Sequence, residues 1–133
     1  MALARLRRFI ADYRRTSRAT RLCKQGERFY EAERFADAIG PLREALILIG
    51  VPQLDTPVLY GVQGTVRLTA VTLLAMAAAK SGDRQLALAT IQRGLAVVAE
   101  FKLVAASYAR KDEYLRTWEE WARSYLAYEP PTE

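Results

Sequence analysis

Few side chains in this 133-residue chain are of types that do chemistry, and their spacing limits the chemistry available. Histidine is absent, which removes the commonest general base and metal ligand near neutral pH. The single cysteine, Cys23, excludes a paired-cysteine metal site and an internal disulfide. It falls in the middle of a helical pattern, where a small thiol serves packing more often than nucleophilic attack. Glu27, Glu31, Glu33 and Asp37 form the densest carboxylate group, and Glu27 and Glu31 share a face. Arg28 and Arg34 are interleaved with them, so the pattern reads as a solvated face with pairs three or four apart. Gly61 and Gly64 suit close helix contact or a bend; a phosphate-cradling loop would carry more glycine and a nearby lysine. The expectation is no enzymatic activity, no cofactor and no metal.

The elements around these residues read as helices. Composition, at 51% hydrophobic and 26% charged, is that of an ordinary globular domain. Leu3, Leu6, Ile10 and Tyr13 share one helical face with Phe9 at its edge, and Arg5, Arg7, Arg8, Arg14 and Arg15 lie outside it. Continuing that helix would bring Arg21 and Lys24 onto the apolar face. A break near 16–20 is therefore expected, with Ser17 or Thr20 as the next N-cap. The second helix is expected over 20–33 and the third over 36–49, with Pro41 tolerated near its start. A fourth runs from Pro57 to Lys80, and the turn Ser81, Gly82, Asp83 leads into a fifth. The fifth faces inward through Leu86, Ala87, Ile91, Leu95 and Val98, and a last helix covers 105–128. No segment alternates with period two, so no strand is expected and the fold class is all-α.

Two stretches overlay. Ala38, Leu42, Ala45 and Leu46 in one match Ala87, Ile91, Gly94 and Leu95 in the other, 49 residues on. Each follows a short polar turn. Small residues on either side of a larger aliphatic let two antiparallel helices approach closely, as in stacked hairpins that need neighbours to cover their remaining faces. On these residues the chain resembles the tetratricopeptide repeat (TPR) family over roughly 20–99. Gly26 takes the small position of the first helix and Phe29 the aromatic one; Ala38, Leu42 and Ala45 take those of the second. Leu22 stands where the family has tryptophan, Gln25 where it has leucine, and Gly50 in the proline slot. In the second copy Ala75 and Ala78 replace the glycine and the aromatic, and the spacing of 49 exceeds the family's 34. The resemblance implies about two antiparallel hairpins flanked by N- and C-terminal helices. The expected divisions are 1–19 (basic helix), 20–101 (hairpins) and 102–133 (aromatic capping helix and tail).

The same resemblance implies a groove for an extended peptide or a partner helix. By position it is lined by Thr20, Cys23, Glu27, Tyr30 and Glu31 from the first copy and by Thr69, Thr72, Met76, Ala79 and Lys80 from the second. Family members that grip a terminal carboxylate use lysine and asparagine where this chain has Cys23 and Glu27, which disfavours such tails. A basic or amphipathic helix suits the groove better, unless the terminal helices fill it themselves.

Two further surfaces follow from the ends of the chain. Residues 1–25 hold eight basic residues against Asp12 alone, so the excess charge, net +5 overall, belongs to this segment. Arg5, Arg7, Arg8, Arg14, Arg15 and Arg18 read as a solvated face, as an attachment to an acidic protein or an anionic membrane, or, least favoured, as a nucleic-acid contact. In the last helix Tyr114, Trp118, Trp121, Tyr125 and Tyr128 recur at helical spacing. Core packing is the first explanation for this stripe, and self-association through Trp118, Trp121 and Tyr125, as in a homodimer, is the second. No secretory signal is read, and Leu68 to Ala79 falls short of a bilayer span, so the expectation is a soluble, cytoplasmic protein, with peripheral membrane attachment left open. The function expected is that of an adaptor that binds a partner protein. The alternatives are a membrane- or filament-associated assembly factor targeted by the N-terminal helix, and a nucleic-acid-binding accessory protein.

Overall fold

The computed structural model describes residues 2–49, 57–104 and 111–127, and over these the chain folds into five helices. They are α1 (Ala2–Glu31), α2 (Phe35–Ile49), α3 (Pro57–Lys80), α4 (Arg84–Val104) and α5 (Lys111–Ala127). No strand occurs among the described residues, and the protein is all-α.

Two short turns fold consecutive helices back on each other, and both use one device. At the end of α1, Glu33 adopts a left-handed backbone with φ 61°, the Glu33 amide donates to the Tyr30 carbonyl and the Arg34 amide to the Phe29 carbonyl. At the end of α3, Gly82 takes φ 85°, its amide donates to the Ala79 carbonyl and the Asp83 amide to the Ala78 carbonyl. This pattern satisfies the last helical carbonyls and reverses the chain. Asp83 then caps α4 by accepting from the Leu86 amide at 3.1 Å.

The break expected near 16–20 is absent, because α1 is one helix of 30 residues. Its buried stripe is Asp12, Thr16, Ala19, Cys23 and Gly26. That stripe lies roughly a third of a turn around the helix from Leu3, Leu6, Ile10 and Tyr13. Arg21 and Lys24 therefore remain in water with no change of phase. Small residues, not the most apolar ones, choose the face that packs. Pro41 also lies deeper than expected, in the second turn of α2, where the ring costs that helix one internal hydrogen bond. The helix that follows Asp83, α4, extends past Phe101 to Val104, and the expected start of the last helix at 105 lies outside the described residues.

α1 packs on α2 and α3, α2 on α3, α3 on α4, and α4 on α5. The core joins Ala38, Leu42, Ala45 and Leu46 of α2 to Val71, Leu74 and Ala75 of α3, Ile91 and Val98 of α4, and Leu115 and Trp118 of α5. A methyl group added at Gly26 would collide with Cγ of Leu42, so α1 approaches α2 as closely as it does only because residue 26 has no side chain. Gly94 of α4 is equally tight, but against the indole ring of Trp118. α3 is the one helix of the described residues long and apolar enough to cross a membrane, and 56% of its stretch Val62–Lys80 is buried inside the protein.

Candidate functional site

The expected groove positions fall on α1 and α3, and the structure divides them into two groups. Cys23 and Thr72 are taken up by internal packing. Cys23 is buried, and burial, reinforced by the negative charge of Glu27, pushes its thiol up to about 11. A thiol held neutral in this way is a packing group and a poor nucleophile at neutral pH. The Thr72 hydroxyl donates to the Leu68 carbonyl at 2.6 Å and accepts from Nε1 of Trp118 at 2.6 Å. α5 thus reaches across to α3 at the centre of the second copy.

The remaining positions stay at the surface. Glu27, Glu31 and Lys80 are exposed, while Thr20, Tyr30, Thr69, Met76 and Ala79 are half-buried. Thr20 donates to the Thr16 carbonyl at 2.8 Å. Tyr30 and Lys80 are brought together by Phe35, the first residue of α2. The Phe35 ring lies edge-on to Tyr30 at 5.1 Å, and the Lys80 ammonium sits over the same ring at 5.4 Å. Arg34 covers Phe29 at 4.8 Å and bonds Asp37 at 2.9 Å. Burial raises the Tyr30 hydroxyl above its ordinary value. The ends of α1 and α3 and the start of α2 therefore form an aromatic patch edged by cations, with Glu27 and Glu31 exposed on α1.

The aromatic stripe of α5 is turned mainly inward. Trp118 is buried, so it offers nothing to a second copy; Trp121 and Tyr125 are half-buried. Trp121 lies between Trp118 at 6.0 Å and Tyr125 at 5.9 Å, and Arg84 covers Tyr125 at 5.4 Å. Self-association through this helix would rest on Trp121 and Tyr125.

The basic residues of α1 do not behave alike. Arg18 bridges to Glu44 of α2 at 2.8 Å, and Arg15 bonds the buried Asp12 at 3.0 Å. Arg5, Arg7, Arg8 and Arg14 are exposed. Beneath them runs a polar seam unforeseen in the sequence, where Nε2 of the buried Gln63 on α3 donates to the Thr16 hydroxyl at 3.0 Å and that hydroxyl donates to the Asp12 carbonyl at 2.7 Å. Asp12 as the lone acid among eight bases, and Gln63 as a lone amide in an apolar stretch, were the available signals.

A second concavity, of about 230 Å³, opens between α2 and α4 with Leu74 of α3 in its lining. Arg43 and Arg93 border it beside Ile47 and Leu86, a chemistry suited to an acidic side chain next to an apolar one. Among the described residues no group of three or more histidine, cysteine, aspartate or glutamate side chains is placed to hold a metal ion. No family model, no curated protein and no solved structure matches this chain.

Proposed function

We propose that the protein is a non-enzymatic, TPR-like adaptor that binds a partner protein along the surface shared by α1 and α3. The observation that carries this reading is the repetition of one hairpin at a shift of 49 residues. Glu33 and Gly82 make the same turn, and Ala38, Leu42 and Ala45 recur, buried, as Ala87, Ile91 and Gly94. Hairpins of this kind stack into scaffolds whose exposed faces bind rather than react. Half-buried Tyr30 and Met76 would supply apolar anchors, and exposed Glu27 and Glu31 would select a basic or amphipathic helix.

The test is reconstitution with a purified partner isolated on the full-length protein, followed by titration calorimetry. A one-to-one complex weakened at least about tenfold by Tyr30→Ala or Met76→Glu, in variants whose circular dichroism is unchanged, supports the assignment. A complex that tolerates both substitutions would move the binding surface elsewhere.

A further inference from the structure

The first turns of α1 present a surface that the body leaves uncovered. Every residue from Ala2 to Ala11 is exposed, over about 15 Å of helix at 1.5 Å per residue. Leu3, Leu6, Phe9, Ile10 and Tyr13 are 63%, 56%, 37%, 40% and 55% exposed, and all lie on one face. Phe9 and Tyr13 stack on each other at 6.3 Å, which makes the stripe continuous. Arg7 and Arg14 border it along one edge and Arg5 along the other, all three exposed. Asp12, the one acid in the first 25 residues, is buried, with Arg15 bonded to it at 3.0 Å, and lies beneath this surface rather than on it.

The charge selects among occupants. A second copy would set two arginine-rich segments against each other. A standard protein interface needs about 800 Å² from each partner, more than five side chains on three turns provide. An anionic lipid surface requires neither shape complementarity nor large area: an apolar face enters the headgroup boundary and flanking cations meet the phosphates.

We propose that residues 2–14 of α1 dock the protein, lying flat, on an anionic membrane surface. Leu3, Leu6, Phe9, Ile10 and Tyr13 enter the boundary between headgroups and acyl chains, and Arg5, Arg7 and Arg14 remain at the phosphates. The face that packs on α2 and α3 is roughly a third of a turn away, so the body lies beside the contact and does not obstruct it. This docking is independent of partner binding along α1 and α3.

Vesicle sedimentation with the full chain decides the matter. The protein binds vesicles of equal parts phosphatidylglycerol and phosphatidylcholine at low salt, and binds phosphatidylcholine alone at least about tenfold more weakly. Leu6→Ser with Ile10→Ser, and separately Arg7→Glu with Arg14→Glu, each weaken binding to the mixed vesicles by about tenfold or more. Thermal unfolding of both variants stays at the wild-type value, because these side chains lie outside the core. Equal binding to both vesicle types, no binding to either, or undiminished binding by the Leu6→Ser, Ile10→Ser chain overturns the proposal. So does a concentration-dependent dimer that the same pair abolishes, which would make a second copy the occupant, or unfolding of that pair, which would make the stripe structural.

Discussion

The two hairpins share a turn and a buried second-helix pattern, yet their tightest seams are closed by different partners. In the first, Gly26 of α1 receives Leu42 of α2, so the hairpin closes on itself. In the second, Ala75 stands where the first has glycine, and it is Gly94 of α4 that receives a side chain, Trp118 of α5. One copy is complete as a pair of helices, whereas the other is completed by the helix that follows it. α5 is therefore a working part of the stack, and its tryptophan also bonds Thr72, one of the positions expected to line a groove. Each hairpin thus gives one expected groove position to internal packing, Cys23 of α1 and Thr72 of α3.

Substitutions can break this contrast, and the largest effect is expected at Trp118. Trp118→Ala should cost about 3–5 kcal/mol in urea unfolding, because it empties a buried site and strands the Thr72 contact, while half-buried Trp121→Ala costs less. Gly26→Ala and Gly94→Ala should each cost about 1–3 kcal/mol through overpacking, despite alanine's better helix propensity. Their equality or difference measures how well Leu42 and the indole can yield.

Alkali distinguishes the first hairpin alone. The Cys23 thiol ionises near 9.0 when unfolded and at about 11 when folded, so the unfolded chain loses its proton first. The stability that depends on the neutral thiol is complete below pH 9 and declines between pH 9 and 11, by about 1–3 kcal/mol in all. Tyr30, whose hydroxyl is raised by burial, adds a decline of the same sign. Cys23→Ala should flatten most of the slope in denaturant titrations taken across this range.

The smallest effects sharpen the similarity of the two turns. Glu33 bears a side chain in a left-handed conformation that glycine adopts without strain, so Glu33→Gly should stabilise by about 0.5–1 kcal/mol and Gly82→Ala should destabilise by a similar amount. Opposite shifts of a few degrees in melting temperature would establish that both turns are the same device.

Much of this architecture was legible because it depends on residue size at helical intervals. Ala38, Leu42, Ala45, Ala87, Ile91 and Gly94 announced the hairpins, and Ser81, Gly82 and Asp83 their second turn. The first turn was placed but its left-handed residue was not, since glutamate gives no sign of a positive φ. In α1 the hydrophobic residues mark a face, but the buried face is a different one. Leu3, Leu6 and Ile10 point to water, whereas Asp12 and Thr16 point inward because Arg15 and Gln63 meet them there. Of the candidate binding residues, Tyr30 and Lys80 do converge, but through Phe35, which no periodicity marked. For Trp118, expected either in the core or in self-association, the structure gives the core; its partner Thr72, 46 positions earlier, is not legible in a single chain.

The seating of Trp118 on Gly94 makes α5 part of the scaffold, and a double-mutant cycle at these two positions tests it most directly. Gly94→Ala should cost about 1–3 kcal/mol beside tryptophan and little or nothing in a Trp118→Ala background, where the new methyl group meets an emptied site. Costs that simply add would contradict that seating and leave α5 an appendage of the two hairpins.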